Sequence, residues 1–143
     1  MLESSRAATS MKVADLMETD LQVVQEDLTV AEAVVTLTEG HIRGLPVVDR
    51  HNRMVGVLSS SDVLEAAAEC ADAEERNALF ERTIVAEVMT PRPKTISPDA
   101  EVKEAAKQML ELEVHRLFVE RRGELVGVIS QSDIVRAVAT AKI

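Results

Sequence analysis

Val55-Gly56-Val57-Leu58-Ser59-Ser60-Ser61-Asp62-Val63 returns 71 residues later as Val126-Gly127-Val128-Ile129-Ser130-Gln131-Ser132-Asp133-Ile134. Working outward, Val13-Ala14-Asp15-Leu16-Met17 reappears 72 residues on as Val85-Ala86-Glu87-Val88-Met89, and the same spacing carries Val30 onto Val102 and Leu45 onto Leu117. One residue has therefore been lost in the loop that reads Asp49-Arg50-His51-Asn52-Arg53 in the first copy. Loops absorb such a change, whereas a strand would turn its apolar side chains to the wrong face. The chain is a duplication at a period that marks repeat architectures. Its copies span residues 11–67 and 83–140.

Each copy reads in one order. A short helix leads to a brief strand, Leu21-Gln22-Val23-Val24 or Lys94-Thr95-Ile96. A helix follows, with Val30, Ala33, Val34 and Leu37 on one face in the first copy and Val102, Ala105, Ala106, Met109 and Leu110 in the second. Thr29 and Glu32 form a capping box before the first of these helices, and Glu101 stands where its twin would need the threonine. Two apolar runs around a polar turn, Leu45-Pro46-Val47-Val48 and Met54-Val55-Gly56-Val57-Leu58, predict adjacent buried strands, and a closing helix begins at each Ser-x-x-Asp. The fold class is α/β (α+β), with two β-α-β-β-α repeats. Residues 68–82 are rich in Ala and Glu without Gly or Pro, which predicts a helical connector continuing out of the first copy. Residues 1–10 lack periodicity and read as a disordered tail.

Composition narrows the function. Sixteen basic against twenty-five acidic residues leave a net charge of −9, which repels nucleic-acid backbones at long range. Phe80 and Phe118 are the only aromatic residues, so stacking platforms for single-stranded bases are missing and a bound purine must lie on aliphatic side chains. The apolar stretches are too short for a membrane span and the first residues lack a signal-peptide core, which places the expected protein in the cytoplasm. Cys70 is alone, and three His at scattered positions make no metal-ligand spacing. No Gly-rich phosphate loop and no nucleophile elbow are present, so the chain is not expected to be an enzyme.

Two constellations remain. In the first, a strand ends at Ser59 or Ser130 and an acid, Asp62 or Asp133, follows in the first helical turn. Free N–H groups and a hydroxyl suit a phosphate or hydroxyl ligand, and a carboxylate accepts both hydrogen bonds of a ribose diol, so a nucleoside satisfies them together. Seen once, the motif is simply a good helix start. Its return after a matching Gly-containing strand favours a site. In the second constellation, His41-Ile42-Arg43-Gly44 and Val114-His115-Arg116 put cationic donors before a buried strand, Arg43 aligning with His115 and Gly44 with Arg116. Solvated surface charge explains His41 alone, but not the set Arg43, His115 and Arg116 beside Asp62 and Asp133.

Leu45-Pro46-Val47-Val48-Asp49 and Gly127-Val128-Ile129-Ser130-x-x-Asp133-Ile134, together with the duplication, resemble a tandem pair of CBS domains, the repeat named for cystathionine beta-synthase. The resemblance implies a pseudo-two-fold pair whose sheets meet over two clefts that hold AMP, ADP, ATP or S-adenosylmethionine as a regulatory ligand, with no obligatory cofactor. It implies ribose contacts from Asp62 and Asp133, polar contacts from Ser59 and Ser130, and phosphate contacts from Arg43, His115 and Arg116. A homodimer is implied as well, with an effector outside the chain. Phe118 in place of Pro46, Glu120 in place of Asp49 and Gly44 in place of Arg116 imply that the clefts differ. The rival expectations are a ligand-independent dimerisation scaffold, a weak metal-dependent nucleotide hydrolase using Asp62 or Asp133, and last a nucleic-acid binder.

Overall fold

A computed structural model describes residues 11–40 and 42–140. The tail at 1–10 and His41 lie outside the described residues. The chain divides into two compact units, one of residues 22–93 and one that joins residues up to 21 with residues from 94 onward.

The 22–93 unit is a four-stranded sheet in the order β1 (Val24–Gln25), β2 (Gly44–Val48), β3 (Met54–Ser59), β4 (Thr90–Pro91). β1 runs parallel to β2, and the remaining pairs are antiparallel. A parallel step needs a crossover, which α2 (Val30–Glu39) supplies. Thr29 caps α2 as expected, its hydroxyl accepting from the Glu32 N–H at 3.2 Å. Val24, Ala33, Leu37, Leu45, Val47, Leu58 and Val85 form the core. The closing helix α3 (Ser60–Ala68) stops before the connector, and α4 (Ala73–Arg82) starts afresh. The connector is thus interrupted, because the Asp72 carboxylate accepts from the Glu75 N–H at 2.9 Å and makes a new helix start.

The other unit repeats the plan with β5 (Thr95–Ile96), α5 (Val102–Leu112), β6 (Arg116–Arg121), β7 (Glu124–Ser130) and α6 (Gln131–Ala139). Its sheet order is β5-β6-β7, parallel then antiparallel. Val102, Ala105, Met109, Leu117, Val119, Ile129 and Ile134 are buried together. Leu110 was expected on the buried face, but it is 74% exposed, lying at the edge of the stripe that Val102, Ala105 and Met109 define. Glu101 makes no side-chain cap on α5.

The leading segments are exchanged. Helix α1 (Val13–Leu16) belongs to the second unit, where the Val13 N–H donates to the Ala100 carbonyl at 2.8 Å. The 3-10 turn Val85–Glu87 belongs to the first unit, where the Val85 N–H donates to the Leu28 carbonyl at 2.8 Å. Each compact unit therefore draws its lead-in from the other sequence copy. The bulge in each hairpin corrects one alignment. β2 slips between Val47 and Val48, and β6 slips between Val119 and Glu120. Glu120 thus holds the place of Val48, not of Asp49.

Candidate functional site

The strand β3 delivers Ser59 to the start of α3, and the cap there is reciprocal. The Asp62 N–H donates to Ser59 Oγ at 3.0 Å, and the Ser59 N–H donates to Asp62 Oδ2 at 2.9 Å. The second acid oxygen, Oδ1, accepts from the Thr90 hydroxyl at 2.9 Å. Thr90 arrives on β4, which pairs with β3 at Val57. Arg43 holds this corner only through its backbone, its carbonyl accepting from the Ser60 N–H at 3.1 Å while its side chain is exposed.

The same cap recurs at the start of α6, with Asp133 N–H to Ser130 Oγ at 3.2 Å and Ser130 N–H to Asp133 Oδ2 at 2.9 Å. Its surroundings are more basic. Arg136 Nη1 lies 3.5 Å from Asp133 Oδ1. His115 Nδ1 meets Gln131 Oε1 at 3.2 Å, and the His115 carbonyl accepts from the Gln131 N–H at 2.8 Å. Arg116 stands directly opposite Ser130 across the β6–β7 ladder, as Gly44 stands opposite Ser59. Its guanidinium carbon is 5.2 Å from the centre of the Phe118 ring, a cation–π distance. Burial pushes the Arg116 guanidinium below its ordinary value.

Six of the seven site residues expected from sequence thus gather at two helix starts, Ser59 with Asp62 and Ser130 with Asp133, His115 and Arg116. The Arg43 side chain points away into solvent exposure. Phe118 packs in the sheet, 7% exposed, on the face opposite Leu117 and Val119. Thr90, Gln131 and Arg136 were missed. Gln131 sits inside the quoted motif, whereas Thr90 lies 28 residues from its partner and gave no local signal.

A duplicated α/β module with a capped carboxylate at the same place in each half defines a regulatory repeat pair. The CBS domain family model matches residues 13–69 and 85–140, and the chain belongs to that family. It is 31% identical to the chloroplastic CBS domain-containing protein CBSX1 of Arabidopsis thaliana over 86% of this chain and 61% of that protein. The chain spans about three-fifths of the length of the CBSX relatives it matches. Crystalline Arabidopsis CBSX2 in complex with AMP is 30% identical, with a TM-score of 0.77 over 93% of this chain and 99% of that one. The CBS domain of a CBS domain containing membrane protein from Sphaerobacter thermophilus is 28% identical, with a TM-score of 0.71 over 94% and 92%. Among the described residues, no helix of this chain is long and apolar enough to cross a membrane.

Proposed function

We propose that the chain is an adenine-nucleotide sensor that regulates a separate effector by changing conformation when AMP, ADP, ATP or S-adenosylmethionine binds. The carrying observation is the pair of carboxylates, Asp62 and Asp133, each fixed by a reciprocal cap so that one oxygen orients the group and the other faces outward. A carboxylate held this way is prepared for a ribose diol at little entropic cost. Ser59 and Ser130 supply hydroxyl contacts, and His115 and Arg116, with Arg43 in the other copy, supply cations for phosphate. The AMP complex of CBSX2 supports an adenosyl ligand.

A carboxylate locked in a cap is suited to holding, not to moving a proton, which favours a sensor over a hydrolase. The scaffold reading draws on the same caps, since they are complete within the chain. Thermal unfolding separates the two. A ligand at about 100 times its Kd stabilises the native state by about 2.7 kcal/mol, a rise of roughly 5–10 °C for a chain of this size. AMP is expected to raise the midpoint, with the rise reduced in Asp133→Asn. Absence of any shift with all four ligands at millimolar concentration sinks the sensor and leaves the scaffold. The sensor is also proposed to work as a homodimer.

A further inference from the structure

The two helix starts are built alike and charged differently. Beside Ser59, across the ladder, stands Gly44, which offers no side chain, and beside Ser130 stands Arg116. The next residue on the same face differs in step, since Phe118 lies under the guanidinium at 5.2 Å while its counterpart Pro46 has no ring to place there. Arg116 is half-buried, so its field is less screened by water than that of the exposed Arg43. The outer oxygens of the acids follow the same division. Asp62 Oδ1 takes the neutral hydroxyl of Thr90 at 2.9 Å, whereas Asp133 Oδ1 faces Arg136 at 3.5 Å. The place of Thr90, opposite Val57 on β3, is held in the other unit by Glu18, which bridges to Val128.

Resting on the nucleotide reading above, we infer that the two repeats divide adenosyl ligands by charge: the Ser130–Asp133 start takes the phosphorylated nucleotide, with Arg116 selecting it over the nucleoside, and the Ser59–Asp62 start is indifferent to phosphate. One phosphoryl-selective site per chain follows. A charge-assisted contact to a half-buried guanidinium is worth about a tenfold or larger preference. Gly44 has no counterpart to this contact. Arg43, solvated and flexible, adds little at the first start.

Calorimetric titration of the full chain with AMP and with adenosine tests this. One site is expected to prefer AMP by about tenfold or more. Arg116→Gly, which copies the first repeat into the second, is expected to abolish that preference and leave adenosine binding unchanged. Arg116→Gln removes the charge while keeping a side chain in the ladder, and the same loss is expected if the glycine variant does not fold. Arg43→Ala is expected to change AMP affinity by less than about threefold. Two sites of equal preference for AMP, or a preference that survives in the Arg116 variants, overturn the inference. Adenosine bound as tightly as AMP by the unaltered chain overturns it too, while leaving the adenosyl reading in place. Binding of neither ligand overturns both.

Discussion

Asp49 shows how one side chain sets a local conformation and ties it to pH. The β2–β3 turn has five residues, and its Asp49 carboxylate accepts from the His51 N–H at 2.8 Å and the Arg53 N–H at 3.0 Å. The backbone N–H of Arg53 contributes most to holding the Asp49 carboxyl below its ordinary value of 3.8; desolvation opposes it, and the His51 N–H and the charges of His51 and Arg53 assist. A carboxyl depressed in the folded state contributes stability above its unfolded value and loses that contribution as pH falls through the folded one. Asp49→Asn retains an acceptor but not the charge. The variant is expected to be less stable than the parent near neutral pH, with the gap closing below pH 3.8. Urea unfolding across that range, beside a carbon-detected NMR titration of Asp49, checks both halves. A gap that widens in acid excludes this account. The shorter turn of the other hairpin uses backbone strain instead, with Arg122 and Gly123 both at positive φ, 55° and 88°.

Between the elements, the exchanged lead-ins explain two glycines and show where sequence reading stops. A Cβ on Gly127 would meet Met17 Sδ at 2.8 Å and the Glu18 carbonyl at 3.0 Å, and one on Gly56 would meet Met89 Sδ at 2.5 Å and the Thr90 carbonyl at 2.8 Å. Because part of each contact is backbone, a side-chain rotation cannot relieve it. Gly127→Ala and Gly56→Ala are each expected to destabilise the chain by about 1–3 kcal/mol, read as a lower urea midpoint without ligand. An unchanged midpoint in both would mean that Met17 and Met89 do not seat as described. The strands, the Thr29 cap and the two Ser-x-x-Asp starts were legible because periodicity and capping are local. The exchange was not, since Val13-Ala14-Asp15-Leu16-Met17 and Val85-Ala86-Glu87-Val88-Met89 carry nearly the same docking residues. Either lead-in suits either copy, and only the assembled chain decides. The pairing of Arg116 with Ser130 was hidden for a related reason, as cross-strand register depends on the bulge between Val119 and Glu120.

For the molecule as a whole, what its surface leaves uncovered bears on the proposed homodimer. Leu64 on α3 and Val135 on α6 hold the same place in the two copies and are 71% and 64% exposed. Beside Val135, the exposed Leu110 borders an apolar groove of about 190 Å³ lined by Ala106, Met109 and Ile134. A second copy presenting the same surface makes a closed, self-complementary contact, which an arbitrary partner does not. Opposing that contact, each chain carries a net charge of −9 at pH 7. Repulsion between exposed charges is screened within a Debye length of about 8 Å at physiological ionic strength, whereas apolar burial is not weakened by salt. The dimer is therefore expected to tighten as sodium chloride rises, the reverse of an association held by opposite charges. Replacing both Leu110 and Val135 by Glu places charge in the contact and is expected to give a monomer. As surface changes, the two substitutions should alter monomer stability by no more than about 0.5 kcal/mol each. Light scattering coupled to gel filtration reads both effects: a dimer that persists in the double variant moves the contact to another face, and one that dissociates with added salt makes it electrostatic.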